Sequence, residues 1–255
     1  MTRLSGIGVR EVPLEAIVQL RDAYREAMAC QIVHDSWHAR GFTRSYLLLD
    51  AAGVPIGHAA VGGPPRETPD ILKELYLVPA QRARALAALE AVVAASGARR
   101  IEAQTNDPFL FPLLEAHGQA LRSETILFAD GGPTGHTAPG AVFRPLSPAE
   151  HPRVFAHTHE PVGEWALERA GAVVATGGYA LHYNPPYADL YMEVSAAQQG
   201  QGLGRYLVQE LRRVCRAAGR VPAARCHESN VASQATLIAG GMVRCGRIVS
   251  AKLAA

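Results

Sequence analysis

The chain of 255 residues is 48% hydrophobic and 19% charged, enough apolar material for one large or two ordinary globular domains. A net charge of only +2 without a long basic run excludes a protein whose main work is gripping nucleic-acid phosphates, and no apolar run reaches the ~20 residues of a membrane span. Glu11 and Glu15 break the opening segment where a signal peptide needs an unbroken apolar stretch, and Cys30, Cys215, Cys226 and Cys245 contain no C-x-x-C pair, which fits reduced thiols in a cytoplasm.

In chain order, the first marked element is "LEAIVQLRDAYREAMACQIVHDSWHARG", residues 14 to 41, which reads as one long helix. On it Glu26, Cys30, His34 and His38 recur every fourth residue and form one slowly drifting stripe. Cysteine and two histidines at that spacing span about 12 Å along the axis, too far for one metal ion. Cys30, His34 and His38 are therefore expected as a wall of a substrate pocket, and no metal is expected.

Two apolar strands around a small-residue turn follow in "LLLDAAGVPIGHAAVGG" (47 to 63), then a strand "ELYLV" (74 to 78), a helix "ARALAALEAVVAASG", a strand "RRIEAQ" and a helix "NDPFLFPLLEAHG". The stretch "ADGGPTGHTAPGA", residues 129 to 141, has linker composition. After it the order repeats: "ALERAGAVVATGGYALH" (166 to 182), "LYMEV" (190 to 194), "GRYLVQELRRVCRAAG", "AARCHE" and "NVASQATLIAGG". A duplicated α/β unit is expected, with domains 1–128 and 142–255 and a linker between them.

The second copy carries Gly200, Gly202 and Gly204 between a strand ending at Val194 and a helix beginning near Gly202. Unpaired N–H groups and the positive end of a helix dipole meet there, and such a place binds phosphate. The spacing G-x-G-x-G is not the dinucleotide fingerprint G-x-G-x-x-G, and no Walker lysine follows, which speaks against NAD and ATP.

Gln199-Gly200-Gln201-Gly202-Leu203-Gly204 resembles the pyrophosphate loop Q/R-x-x-G-x-G/A of the GNAT superfamily of acyl-CoA N-acyltransferases. The resemblance runs on through Asn230, Ser233 and the "AGGM" ending at Met242, and covers most of residues 143 to 255. It implies two tandem units, each a mixed, mostly antiparallel sheet with helices on both faces. It implies acetyl-CoA as co-substrate, with Met192 to Val194 beside the pantetheine arm in a splayed gap between strands. Residues 199 to 205, Arg205 included, would hold the pyrophosphate, and Asn230 would touch the pantetheine. The first half resembles the same family with the loop eroded to Arg82-Ala83-Arg84-Ala85, where methyl groups would crowd a backbone-bound phosphate.

Acetyl transfer to an amine needs a base, a donor for the thioester carbonyl and an acid for the thiolate. Glu193 stands where many family members place the base, with His227 and Glu228 as runners-up, and the Val194 N–H would polarise the carbonyl. Leu237 occupies the position where the family often has the acidic tyrosine, so Ser233, His182, Tyr183 or a water would serve. The resulting expectation is a cytoplasmic N-acetyltransferase acting on a small-molecule or peptide amine, as a monomeric pseudo-dimer or a homodimer. The alternatives are a non-catalytic acyl-CoA-binding module and a decarboxylase of malonyl-type thioesters.

Overall fold

The computed structural model describes residues 6–31, 35–65 and 67–253, and the chain divides into two compact units. Unit 1 consists of residues 1–124 together with 247–255, and unit 2 of residues 125–246. This differs from the expected split at 128 and 142, because the last strand leaves the second half of the sequence for the first unit.

Unit 1 contains β1 (Gly8–Val12), α1 (Val18–Met28), α2 (Asp35–Ala39), β2 (Thr43–Leu49), β3 (Pro55–Gly62), β4 (Ile71–Leu77), α3 (Ala85–Ser96), β5 (Arg100–Gln104) and α4 (Leu110–His117). The next strand, β6 (Gly118–Asp130), starts in unit 1. The sheet order is β1-β2-β3-β4-β5, completed by the end of β12 (Met242–Leu253), whose Ile248–Lys252 pairs antiparallel with β5. All pairings are antiparallel except β4 with β5, which is confined to Ile71↔Arg100 and Leu72↔Ile101.

α3 forms because ALAALEAVVAAS is almost wholly good helix former, and Gly97 at φ 72° ends it with its N–H on Val93 O. Its buried Ala88, Leu89 and Val92 pack with Leu72, Leu75, Ile101, Val249 and Ala251 in one core. β4 is buried along its whole length, so its charges must be compensated. Burial alone would raise the Glu74 carboxyl, but bonds from His38, His58 and Arg21 outweigh it and hold the pKa well below the usual carboxylate range.

The long helix expected over 14 to 41 is broken. Ala29 takes the left-handed conformation at φ 48°, closes α1 and turns Cys30 inward, where Cys30 Sγ lies 2.9 Å from Asn106 O. His38 sits on the separate helix α2 with Nε2 3.5 Å from the buried Glu74 Oε1. Glu26 is exposed while Cys30 is buried, so the four residues do not form one stripe. His34 lies outside the described residues. The pocket wall proposed for Cys30 and His38 is therefore corrected: both side chains are committed to the interior of unit 1.

Unit 2 contains the end of β6, then β7 (Ala141–Pro145), β8 (Trp165–Arg169), β9 (Ala172–Ala180), β10 (Tyr187–Val194), α5 (Leu203–Ala217), β11 (Val221–His227), α6 (Val231–Ala239) and the start of β12. The sheet order is β6-β11-β10-β9-β8-β7. β10 and β11 are parallel and the other strand pairings of this unit are antiparallel. α5 buries Leu203, Leu207, Val208, Leu211 and Cys215 against Val174, Ala188, Leu190 and Ala224 of the sheet, the i, i+3/i+4 spacing of an amphipathic helix.

The segment 129–141 is not a loose linker. Buried Arg212 of α5 donates to Asp130 Oδ1 (2.8 Å) and to the carbonyls of Gly131 (2.9 Å) and Gly132 (2.8 Å), and Gln209 Oε1 accepts from Thr134 Oγ1 and the His136 N–H, both at 2.8 Å. Its glycines supply backbone that α5 can clamp.

Candidate active site

β10 pairs with β9 throughout Asp189–Val194, but with β11 only from Tyr187↔Val221 to Asp189↔Ala223. Beyond that rung β11 turns its other edge to β6, as far as His227↔Thr125. From Leu190 to Val194 the second edge of β10 is thus without a ladder partner among the described residues, and the sheet is forked at Asp189. Alternation puts Leu190, Met192 and Val194 on the α5 face and Asp189, Tyr191 and Glu193 on the other.

At the far end of this free edge stands the glycine loop. Gln199 Nε2 donates to Val194 O at 3.2 Å and ties the loop to the strand end. Gly200 and Gly202 have φ of 75° and 79°, a conformation that side chains resist. Gly204 has a different reason: a Cβ there would lie 2.9 Å from Thr236 Cγ2 and 3.1 Å from Met192 Cε, so it lets α5 rest on the strand. α5 starts at Leu203 with no side-chain cap, which leaves the first-turn N–H groups of Leu203, Gly204 and Arg205 without intrahelical partners. The Arg205 guanidinium folds over this turn, with Nε 3.1 Å from where a Gly202 Cβ would stand, and Arg169 Nη1 donates to Gln201 Oε1 at 2.7 Å. Orphan donors, a helix dipole and two cations make this an anion seat.

Unit 1 lacks the equivalent seat. Residues Pro79–Arg84 form a 3-10 turn without a glycine, and Arg82 lies over the Phe109 ring at 4.5 Å, with Phe109 edge-on to Tyr76 of β4.

On the opposite face of β10, Glu193 is not placed as a base. Its carboxylate accepts from Thr158 N (2.9 Å), Thr158 Oγ1 (3.0 Å), His159 N (3.0 Å) and Glu160 N (3.0 Å). Burial would raise its pKa, but the N–H groups of Glu160, Thr158 and His159 and the Thr158 hydroxyl outweigh it and bring it down to about 2. A carboxylate whose lone pairs are all taken anchors the 157–160 loop and does not accept a substrate proton. Because the folded pKa is depressed, this anchoring is complete above the unfolded value and is lost as pH falls from about 4.5 toward 2. Glu193→Gln, which turns an NH2 toward these donors, is expected to cost on the order of 2 kcal/mol and lower the unfolding midpoint of unit 2 by several degrees. Calorimetry with an unchanged midpoint would show that the anchor is dispensable.

The runners-up are no better placed. His227 Nδ1 accepts from the Ser229 N–H at 3.2 Å and lies 2.7 Å from Ser229 Oγ, which occupies its lone pair. The Glu228 backbone carbonyl accepts from Gln234 Nε2 at 2.6 Å and so helps to hold α6. Asn230 caps α6, its Oδ1 accepting from Ser233 N at 3.0 Å, and Leu237 is in the core.

At the fork itself the structure gathers groups that spacing did not connect. His182 Nε2 lies 3.0 Å from Asp189 Oδ2. A carboxylate only accepts, so Nε2 carries a proton, and in the neutral imidazole Nδ1 then has the lone pair. The His182 and Tyr183 rings meet edge to face at 4.8 Å. The Tyr183 hydroxyl is buried, and burial first, then the neighbouring Asp189, keeps the phenol well above its usual pKa. Arg225 Nε lies 3.7 Å from the same Asp189 Oδ2. Glu160 is raised, first by burial and then by Asp189 and Glu193. Asp189, Arg225 and Glu160 escaped the sequence reading because only strand register brings them together. Among the described residues no group of three side chains could hold a metal ion, and no helix is long and apolar enough to cross a membrane.

Residues 136–237 match the model of the acetyltransferase (GNAT) family. No curated protein sequence matches the chain. Among solved structures, an acetyltransferase from the GNAT family from Colwellia psychrerythraea superposes with TM-score 0.73 at 16% identity, over 97% of this chain and 100% of that one. A tandem GNAT protein from the clavulanic acid biosynthesis pathway gives 0.59 at 13% over 98% and 99%. A GCN5-related N-acetyltransferase from Sphaerobacter thermophilus gives 0.57 at 16% over 98% and 97%. At these identities the likeness is one of fold.

Proposed function

We propose that this chain, which has a tandem GNAT-like fold and whose residues 136–237 match the acetyltransferase (GNAT) family model, transfers an acetyl group from acetyl-CoA to an amine of a small molecule or peptide, in the cytoplasm. One observation carries this reading. The free edge of β10 runs from the anion seat at Gly200–Arg205 to the fork at Asp189, a path of about 16 Å for the five residue steps from Asp189 to Val194.

The residues fit the co-substrate. The loop and first-turn N–H groups with Arg205 suit a pyrophosphate, and the edge of Met192 to Val194 that faces away from β9 suits the amides of a pantetheine arm. Bound there, acetyl-CoA supplies an acyl group activated as a thioester. The chain's own part is proton handling at the fork. His182 takes the ammonium proton of the acceptor at Nδ1, while Asp189 holds the imidazole's other nitrogen and stabilises the imidazolium. Tyr183, held neutral beside Asp189, is the proton donor that replaces the family tyrosine missing at Leu237.

Titration of acetyl-CoA into the protein is expected to show one site per chain. Gly202→Glu is expected to weaken it about 100-fold or more, since a carboxylate there both strains the loop and repels the pyrophosphate. Two equal sites, or undiminished affinity in a folded Gly202→Glu protein, would overturn the assignment. Tight binding without CoA release for any amine would leave an acyl-CoA-binding module instead.

A further inference from the structure

We infer that the acceptor is an amine bearing a carboxylate one or two carbons away, a free amino acid in the simplest case, and that Arg225 binds that carboxylate; this rests on the acetyltransferase reading above. Arg225 stands on β11 two residues beyond the last rung, Asp189↔Ala223, so it projects on the same face as Asp189 from the opposite side of the fork. One carboxylate oxygen, Asp189 Oδ2, receives both His182 Nε2 at 3.0 Å and Arg225 Nε at 3.7 Å. The imidazole and the guanidinium thus converge on one carboxylate oxygen, so that a small molecule carrying both an amine and a carboxylate could engage the two together.

The Asp189–Arg225 contact is loose. A guanidinium committed to a carboxylate closes to about 2.7–2.9 Å and uses two nitrogens, whereas Arg225 makes this single approach, stands 5.8 Å from the Tyr183 ring centre and is 46% exposed. Its two-nitrogen edge is left for another carboxylate. The surrounding charge argues the same way. Asp189 and Glu160 make the fork attractive to an ammonium, and negative crowding is visible in the raised Glu160 carboxyl, for which burial comes first and Asp189 and Glu193 next. A simple anion would be repelled there, and a simple cation would leave the arginine unused. A zwitterion satisfies both.

The test measures CoA release from acetyl-CoA with the twenty L-amino acids and β-alanine, their methyl esters and their decarboxylated amines. The best acid is expected to exceed its own ester and amine about 10–100-fold in kcat/KM, with the difference in KM. Arg225→Ala should bring the acid-to-ester ratio close to one, and Arg225→Lys should leave it between the two. Equal efficiency for acid, ester and amine in the parent protein would overturn the inference. So would an Arg225→Ala variant that slows all three by one factor, since Arg225 would then be only the counter-ion of Asp189. Turnover of amines but of no amino acid defeats this inference and leaves the acetyltransferase reading standing. Failure to bind acetyl-CoA removes both.

Discussion

Deletion of residues 247–255 is expected to abolish the cooperative folding of unit 1 while unit 2 remains folded. Ile248–Lys252 forms the strand that pairs with Arg100–Gln104 and lies between β5 and β6 in the sheet. Val249 and Ala251 are 8% and 5% exposed and lie in the same core as Leu72, Ile101 and Leu114. Five ladder positions are lost, at roughly 0.5–1.5 kcal/mol for each hydrogen bond. Burial of the Val249 side chain contributes about 1.5–3 kcal/mol more. The total approaches the 5–15 kcal/mol that typically holds a domain together. Hydrogen exchange checks it directly: amides of β3, β4 and β5 should lose protection and those of β8 to β11 should keep it. Val249→Lys should act in the same direction without shortening the chain. Full protection of β5 in the truncated protein would show that unit 1 is sustained by its own residues alone.

The second large effect is expected at the fork. His182→Ala should lower turnover by about 10²–10⁴-fold, as for loss of a general base, with acetyl-CoA affinity little changed because the anion seat lies at the other end of β10. Asp189→Asn should also be slow. An asparagine can present its NH2 to the imidazole, which favours the tautomer with Nδ1 protonated and removes the lone pair from the acceptor side. Tyr183→Phe should remove the thiolate's proton donor while keeping the ring packed on His182. Steady-state rates with a saturating amine decide the matter: a His182→Ala protein that turns over at the parent rate would return the role of base to an unassigned group or to water.

Much of the architecture was legible in the order of residues. Alternation and helical periodicity gave the two copies of the α/β unit, and the glycines at 200 and 202 marked a loop that only positive φ can close. The glycine-loop end of the candidate site was legible for the same reason: a strand end, a tight loop and a helix start are contiguous, so their geometry is local. Glu193 misled because a strand carboxylate beside the gap looks the same in sequence whether it is free or, as here, filled by donors from Thr158, His159 and Glu160, more than thirty residues away. The helix of 14 to 41 misled because the four-residue spacing of Glu26, Cys30, His34 and His38 carries no sign that Ala29 will adopt φ 48°.

By itself, then, the sequence determined the repeated order of strands and helices, the lack of glycine at 82–85 and the tight glycine loop before the helix at Leu203, all set by neighbours along the chain. Tertiary structure alone decided that β12 completes the sheet of unit 1, that 129–141 is clamped by Arg212, and that His182, Asp189, Tyr183 and Arg225 meet at one fork. The physical reason is that strand partnership is chosen by the burial of whole faces and the pairing of whole edges. A strand's own residues state which of its faces is apolar, but not which distant strand will lie beside it or where their ladder will stop.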